Sequence, residues 1–145
     1  MNRRTFTKSL ALSAAAVSLG SVPVIARKPA PQFSITMDDF NWRNAVKLTA
    51  AERNQAILDT LNANSIKAAL FVIGRNIESD EGKQLLAPWN KAGHLIGNHT
   101  YSHRNYNASA TVIEEYQQDI LRAESLLKDF PRFRKYFRFP MLKEG

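Results

Sequence analysis

Residues 94–103 read HLIGNHTYSH, a short apolar segment that runs into two histidines four positions apart. Residues 94–97 predict a brief strand, and His99 and His103 follow it. If residues 99–103 take one helical turn, both side chains lie on the same side and their nitrogens can bind one metal ion. Zinc, or another divalent ion that prefers nitrogen, then needs a third protein ligand, and a catalytic site also keeps one position open for water.

A pair of adjacent carboxylates lies about sixty residues upstream, where Asp38 and Asp39 close the apolar run of residues 33–37. That run predicts a buried strand with both carboxylates at its carboxyl end. One of them can bind a metal ion while the other stays free as a base. Each motif has an ordinary alternative, since histidines at this spacing can be surface or capping residues and adjacent acids can form a solvated turn. Their occurrence together, each beside a predicted strand end, favours a metal site.

The composition fits one domain with a hydrophobic core. The chain has 145 residues, of which 44% are hydrophobic, and a formal charge of +7. Four basic residues near the end, Arg132, Arg134, Lys135 and Arg138, could attract an anionic polymer. They lack the interleaved aromatic residues of nucleic-acid readers, so we interpret them as a solvated basic face and expect no nucleic-acid partner. Because the chain has no cysteine, disulfides and thiolate metal sites are excluded.

Residues 1–26 are interpreted as an export signal. The Arg3-Arg4 pair precedes a phenylalanine and a lysine in a pattern that resembles the twin-arginine signal. Residues 10–25 are apolar but too rich in alanine for a membrane anchor, so we expect no stable membrane span once the signal is removed. Small residues fit cleavage after Ala26, and residues 27–32 form a stiff linker. An ordinary secretory leader is the alternative, and either signal places the protein in the periplasm or outside the cell.

Strand and helix patterns alternate along the rest of the chain. A capping box of Thr49 and Glu52 begins the first helix. The order implies parallel strands with crossover helices, in a barrel or an open sheet. The carboxyl ends of such strands share one edge, where Asp38-Asp39, the histidine pair and Arg138 are expected to meet. We predict strands at residues 33–39, 67–73, 94–97 and 135–140, and helices at residues 49–64, 79–92 and 111–130.

Finer predictions concern single positions. Pro88 is expected to break or kink the second helix. A second capping box at residues 111–114 is expected to open the third helix. His94 is interpreted as a strand-end or surface histidine, and Trp42 could stack on a sugar ring in a groove or pack over its own loop. The apolar positions of the third helix predict a core-facing stripe of Ile113, Tyr116, Ile120, Leu127 and Phe130.

Three segments in chain order carry a family resemblance: ITMDD at residues 35–39, AGHLIGNHTYSH at residues 92–103 and FRFP at residues 137–140. They resemble the first three motifs of the polysaccharide deacetylases, the NodB-homology domain of carbohydrate esterase family 4. The likeness covers residues 33–145, and the ordered set is far more specific than any single piece. It implies an α/β fold, a partial (β/α) barrel that is incomplete at the C-terminus, with residues 33–145 forming the N-terminal part of that domain.

The resemblance implies a role for each matching residue. Asp39, His99 and His103 would bind a divalent metal, most commonly Zn²⁺, and Asp38 would be the general base. Arg138 would orient Asp38 and keep it ionised. The backbone N–H of Met141 would help to bind the oxyanion. The implied activity is metal-dependent removal of N- or O-linked acetyl groups from a polysaccharide.

The sequence departs from the family pattern in its first and third motifs and after residue 145. Phe40 follows the paired acids where the family usually has glycine, and Met141 replaces an aromatic residue. The family's later motifs include a histidine that protonates the leaving amine, and this chain has only His94, His99 and His103. We therefore expect the sequence to be a fragment with an exposed apolar edge, poor stability and little turnover.

Three function classes remain open from the sequence. The first is the metal-dependent deacetylase. The second is a catalytically silent glycan-binding remnant, which the missing acid histidine and Met141 favour. The third is a metal-dependent phosphoesterase, which the metal ligands allow but which lacks a phosphate cradle. The sequence leaves open the glycan, the linkage of the acetyl group, the native metal and the oligomeric state.

Overall fold

Four strands and three helices alternate along the part of the chain that the structure describes. The computed structural model describes residues 33–43 and 46–144. The predicted export signal and linker, residues 1–32, lie outside the described residues. In chain order the elements are β1 (Ile35–Asp39), α1 (Ala50–Ala63), β2 (Ala68–Val72), α2 (Asp80–Lys91), β3 (Leu95–Asn98), α3 (Ile113–Leu127) and β4 (Phe133–Phe137), with short 3₁₀ turns at Gly74–Ile77 and Pro140–Leu142.

The four strands form one parallel sheet in the order β1, β2, β3, β4. Asp38 pairs with Phe71, and Phe71 pairs with Gly97, so these positions lie side by side across the sheet. Because parallel strands joined by crossover helices all end at one edge, the segments after β1, β3 and β4 meet there. The α/β class predicted from the sequence is therefore confirmed.

The hydrophobic core lies between the helices and one face of the sheet. Alternate residues of β2 point into it, while Thr36 and Asp38 of β1 are exposed on the opposite face. Burying one large aliphatic or aromatic side chain stabilises a fold by about 1.5–3 kcal/mol. The buried members of the core are Leu58, Leu61, Ala68, Leu70, Val72, Ile77, Leu86, Trp89, Ile96 and Leu127.

Two predictions about helix starts have opposite outcomes. The capping box of α1 is confirmed, since Thr49 Oγ1 accepts a hydrogen bond from Glu52 N and Glu52 Oε2 accepts one from Thr49 N at 2.8 Å. The second capping box is wrong. The N-cap of α3 is Val112, whose side chain makes no capping bond. The Thr111 hydroxyl instead donates to Asn105 O at 2.7 Å, so it bonds to the preceding loop and not to the first turn of α3.

The predicted break at Pro88 is also wrong. Helix α2 runs as one element from Asp80 to Lys91 with Pro88 inside it. Pro88 stands in the last turn, where few residues follow, and its own carbonyl accepts the hydrogen bond of Ala92 N at 2.8 Å. The missing donor therefore affects only one position of the helix.

His94 stands directly before β3, as the strand-end interpretation predicts, but it is buried, so the surface alternative is wrong. Its ring packs against Trp89 with the centroids 5.1 Å apart, and Nδ1 accepts a hydrogen bond from Ala68 N at 3.0 Å. Burial is the main cause that lowers the pKa of His94, and the charge of Lys67 lowers it further. A neutral His94 thus ties the beginnings of β2 and β3 together, at the end of the sheet away from the histidine pair.

The predicted stripe of α3 is only partly confirmed. Tyr116 and Leu127 are buried, but Ile113 is 54% exposed because it stands at the first helical position. The helix ends at Leu127, and Phe130 follows it in a turn that bonds back to Leu127 O. None of the described helices combines the length and the apolar character needed to cross a membrane.

Candidate metal centre

The two adjacent carboxylates separate at the end of β1. Side chains alternate along a regular strand, so Asp38 and Asp39 would point to opposite faces. Asp39 has φ 71° and Phe40 has φ 49°, and Phe40 N bonds back to Asp38 O at 2.8 Å. This tight turn in the left-handed region directs Asp39 towards the histidines. Asn76 Nδ2 holds the turn by donating to Asp39 O at 2.9 Å.

The histidine loop, residues 99–103, follows β3 and is not a helical turn, so that part of the prediction is wrong. Thr100 has φ 63° and His103 has φ 61°, both left-handed. The reversal nevertheless brings the two imidazoles together, with ring centroids 5.1 Å apart. Thr100 Oγ1 accepts a hydrogen bond from His103 N at 2.9 Å, and Asn98 Oδ1 accepts one from Thr100 N at 2.8 Å. Hydrogen bonds inside the segment therefore fix its shape.

Asp39, His99 and His103 form one cluster. Asp39 Oδ1 lies 3.3 Å from His99 Nε2 and 3.2 Å from His103 Nε2. One ligand atom from each residue lies within 4.8 Å of the others. Tetrahedral zinc with bonds of about 2.0 Å separates neighbouring ligand atoms by about 3.3 Å. Both distances from Asp39 to the histidines therefore match the spacing of neighbouring ligands on one ion.

The protonation of the cluster also fits a cation. His99 Nδ1 lies 2.8 Å from Arg138 O, a carbonyl that can only accept, so the ring hydrogen is on Nδ1. His99 Nε2 is then the ring atom that faces the Asp39 carboxylate. Burial is the largest cause that lowers the pKa of His103, against the opposing charge of Asp39, and this favours a neutral ring at His103. A cation between Asp39 Oδ1 and the two Nε2 atoms would be bound by all three. In metal sites a histidine ligand commonly donates its other ring N–H to a carbonyl, as His99 does to Arg138 O.

Arg138 connects β4 to Asp38. Its Nη1 donates to Asp38 Oδ1 at 2.9 Å and to Thr36 Oγ1 at 3.0 Å. The guanidinium lies over the Phe71 ring, 4.2 Å from its centroid. Gly97 leaves room for that ring, because a Cβ there would lie 2.9 Å from Phe71 Cδ1. Asp38 is thus held beside the cluster by a cation, and it is not one of the three clustered ligands.

The family model for polysaccharide deacetylases matches residues 26–144, a range that contains every residue that the structure describes. The chain belongs to the polysaccharide deacetylase family. The sequence-based resemblance is thereby confirmed.

Two curated relatives carry the same family chemistry in their names. A peptidoglycan-N-acetylglucosamine deacetylase of Bacillus cereus is 40% identical over 72 residues, which are 49% of this chain and 24% of that protein. A chitin deacetylase of Colletotrichum lindemuthianum is 33% identical over 91 residues, which are 59% of this chain and 36% of that protein. The chain therefore spans well under half the length of both relatives.

Solved structures of family members share the fold. A peptidoglycan N-acetylglucosamine deacetylase in complex with an N-oxidanyl-benzamide has a TM-score of 0.61 at 29% identity, covering 77% of this chain and 47% of that one. A family 4 carbohydrate esterase from Streptomyces lividans has a TM-score of 0.60 at 19% identity, covering 77% of this chain and 52% of that one. The partial barrel expected from the sequence agrees with both, since the matched part makes up about half of each of those chains.

Two further residues, Met141 and Trp42, follow the third and the first motif segments. Met141 follows the buried Pro140 with φ 58° and is 55% exposed, and its part in binding an oxyanion stays a prediction. Trp42 lines an apolar cavity of about 220 Å³ beside Asp38. Its indole Nε1 donates to Asn76 O at 2.6 Å, in the turn that follows β2, and its stacking on a sugar ring stays a prediction.

Sequence reasoning missed two supports of the histidine loop. Asp119 of α3 accepts hydrogen bonds from the backbone of Tyr101 and Ser102, and Asn98 Nδ2 donates to Ile120 O at 3.0 Å. Neither contact has a local sequence signal, because α3 begins ten residues after the loop ends. The only hint was a polar residue, Asp119, beside the apolar stripe of the helix.

Proposed function

We propose that the protein is a metal-dependent hydrolase that removes acetyl groups from a polysaccharide outside the cytoplasm. The observation that carries the proposal is the cluster of Asp39, His99 and His103 beside the Arg138-bound carboxylate of Asp38. The names of the relatives, a peptidoglycan deacetylase and a chitin deacetylase, support an acetylated amino-sugar polymer as substrate. The bond cleaved would then be a carbon–nitrogen bond that is not a peptide bond.

Asp39, His99 and His103 would hold the divalent ion, with zinc as the ion that this donor set fits best. When bound, the ion supplies a Lewis acid that polarises the acetyl carbonyl and acidifies water. The carbonyl of Arg138 keeps the hydrogen of His99 on Nδ1, so that Nε2 faces the site. This contact fixes the ring orientation before any ligand arrives.

Asp38 is proposed as the base that takes a proton from the attacking water. Arg138 donates to its Oδ1, which stabilises the ionised form and sets the orientation of the carboxylate. Phe71 supports the guanidinium from below at 4.2 Å. The backbone N–H of Met141 is proposed to donate to the oxyanion that develops on the acetyl group.

Export remains part of the proposal. The twin-arginine-like residues 1–26 would direct the protein to the periplasm or the cell exterior, where cell-wall glycans lie. A translational fusion of residues 1–26 to a reporter tests this directly. Substitution of the Arg3-Arg4 pair by lysines should retain the reporter in the cytoplasm, whereas an ordinary secretory leader would tolerate that change.

The test of the activity is acetate release from acetylated chito-oligomers and from peptidoglycan. A chelator should abolish release and added zinc should restore it. Asp38→Asn should lower release by at least about 100-fold, the usual contribution of a general base. Asp59→Asn on the exposed surface of α1 is the matched control and should leave release unchanged. Release that persists in the chelator would contradict the proposal.

A glycan-binding remnant without catalysis is the second candidate. The observation that favours it is the position of His94, the one histidine of the chain outside the cluster. His94 is buried before β3 and bonded to Ala68 N, so it cannot protonate a leaving amine at the opposite end of the strand. Retention of the chain on an acetylated glycan column, with no acetate released, would favour this candidate over the hydrolase.

A further inference from the structure

We propose that Asp119 is a positioning residue that holds the histidine loop in its metal-binding shape. Asp119 lies in the middle of α3 and is half-buried. Its Oδ2 accepts a hydrogen bond from Tyr101 N at 3.1 Å and one from Ser102 N at 3.0 Å. These two amides lie between His99 and His103. The proposal rests on the metal site of the proposed function.

The loop needs external support because of its backbone conformation. Thr100 and His103 both have positive φ, which a Cβ makes unfavourable. A non-glycine residue keeps this conformation only when its surroundings over-determine it. Asp119 supplies such a constraint from a separate element, since one carboxylate oxygen fixes two consecutive amides between the two left-handed residues. Hydrogen bonds to an ionised acceptor are roughly twice as strong as neutral ones.

Other contacts hold the loop at its start and at its outer surface. Thr100 O accepts from Gly74 N at 2.9 Å and Tyr101 O accepts from Arg75 N at 3.1 Å. The Tyr101 ring lies 3.6 Å below the guanidinium of Arg122, and its hydroxyl donates to Glu78. These contacts stop at Tyr101. The carboxylate of Asp119 extends the support to Ser102, the residue next to His103.

The two amides differ in a way that sharpens the test. Tyr101 N also lies 3.1 Å from the main-chain carbonyl of Asp119, which any substitution retains. Ser102 N has the carboxylate as its partner. Removal of the side chain should therefore expose the amide of Ser102 to solvent exchange more than that of Tyr101. A general loosening of the fold would affect both equally.

The experiment compares Asp119→Ala and Asp119→Asn with the unmodified chain. Zinc affinity is measured by competition with a chromogenic chelator, and amide exchange at Tyr101 and Ser102 is measured by NMR in metal-free protein. We expect Asp119→Ala to weaken zinc binding about tenfold, the low end of the effect of outer contacts on metal sites. Asp119→Asn keeps an acceptor oxygen without the charge and should fall between the two. Exchange at Ser102 should accelerate in the same order.

The control is Glu124→Ala, which removes a carboxylate from the same helix. Glu124 forms an ion pair with Lys135 at 2.5 Å and makes no contact with the histidine loop among the described residues. Its loss should leave zinc affinity and both exchange rates unchanged. Zinc binding by Asp119→Ala as tight as that of the unmodified chain would overturn the inference. If the unmodified chain binds no zinc, the proposed function fails, and the exchange rate of Ser102 alone decides whether Asp119 positions the loop.

Discussion

Gly97→Ala tests whether the absence of a side chain at Gly97 is needed to place the Phe71 ring, on which the guanidinium of Arg138 lies. The new Cβ would lie 2.9 Å from Phe71 Cδ1 and Cε1 and 3.1 Å from Tyr136 O. Carbon atoms in ordinary contact are about 3.5–4.0 Å apart, so the Phe71 ring must move by about 0.6 Å or more. Overpacking of this kind costs about 1–3 kcal/mol of folding stability. Each kcal/mol lowers Tm by about 4 °C in a domain of this size, which lies between the 60–100-residue and 150–250-residue classes.

The same displacement of the Phe71 ring should also lower the rate of acetate release. The guanidinium of Arg138 loses part of its contact with the Phe71 ring, worth about 0.5–1 kcal/mol. Since 1.36 kcal/mol is a factor of ten in rate, we expect acetate release to fall about two- to fivefold. Thermal unfolding and acetate release, measured on the same preparations, give the two quantities.

A double-mutant cycle identifies the clash. Phe71→Leu removes the ring atoms that the Cβ of Gly97→Ala would contact. The loss of folding free energy in the double variant should therefore be about 1 kcal/mol smaller than the sum of the two single losses. Additivity within about 0.5 kcal/mol would refute the reasoning, because the added methyl group would then be accommodated elsewhere.

Three other substitutions test single contacts. His94 has a lowered pKa in the folded chain, so the unfolded chain binds more protons below about pH 6.5 and stability should fall as the pH drops below that value. His94→Asn keeps an acceptor for Ala68 N but does not titrate, so urea unfolding should show a smaller loss between pH 8 and pH 5, and an unchanged loss would contradict this. Phe40 has φ 49°, so Phe40→Gly should be more stable than Phe40→Ala by about 1 kcal/mol in the same unfolding assay, the reverse of the order in a helix. Arg138→Lys should lower acetate release about three- to tenfold, because a lysine lacks the planar guanidinium that lies over the Phe71 ring while one nitrogen donates to both Asp38 and Thr36. Zinc affinity should stay unchanged in that variant because the main-chain carbonyl holds His99, and equal weakening of zinc binding would count against this division of roles.

The sequence predicted the ends of the first three strands to within one residue, whereas β4 ends at Phe137, three residues before the predicted end, and the shapes of the loops after the strands were not predicted. The apolar runs before Asp38 and His99 and the capping box at Thr49 are local signals, and local signals set the elements and their order. Once the strands are parallel, their carboxyl ends must share an edge. The convergence of the site residues followed from that topology.

The shape of the histidine loop could not be predicted in the same way. Left-handed backbone is usually marked by glycine, but here Thr100 and His103 adopt it. Their conformation depends on partners in α3, such as Asp119, that are distant in sequence. His94 was misjudged for a similar reason, since its burial depends on Trp89 of the preceding helix.

Arg138 has a consequence for the order in which the site matures. Its carbonyl orients His99 and its side chain holds Asp38, yet it is the last of these residues to leave the ribosome. A growing chain that ends before residue 138 already carries every clustered ligand but lacks the acceptor that locks the imidazole tautomer. An ion that bound during synthesis would therefore bind to ligands whose orientation is less fixed than in the finished protein.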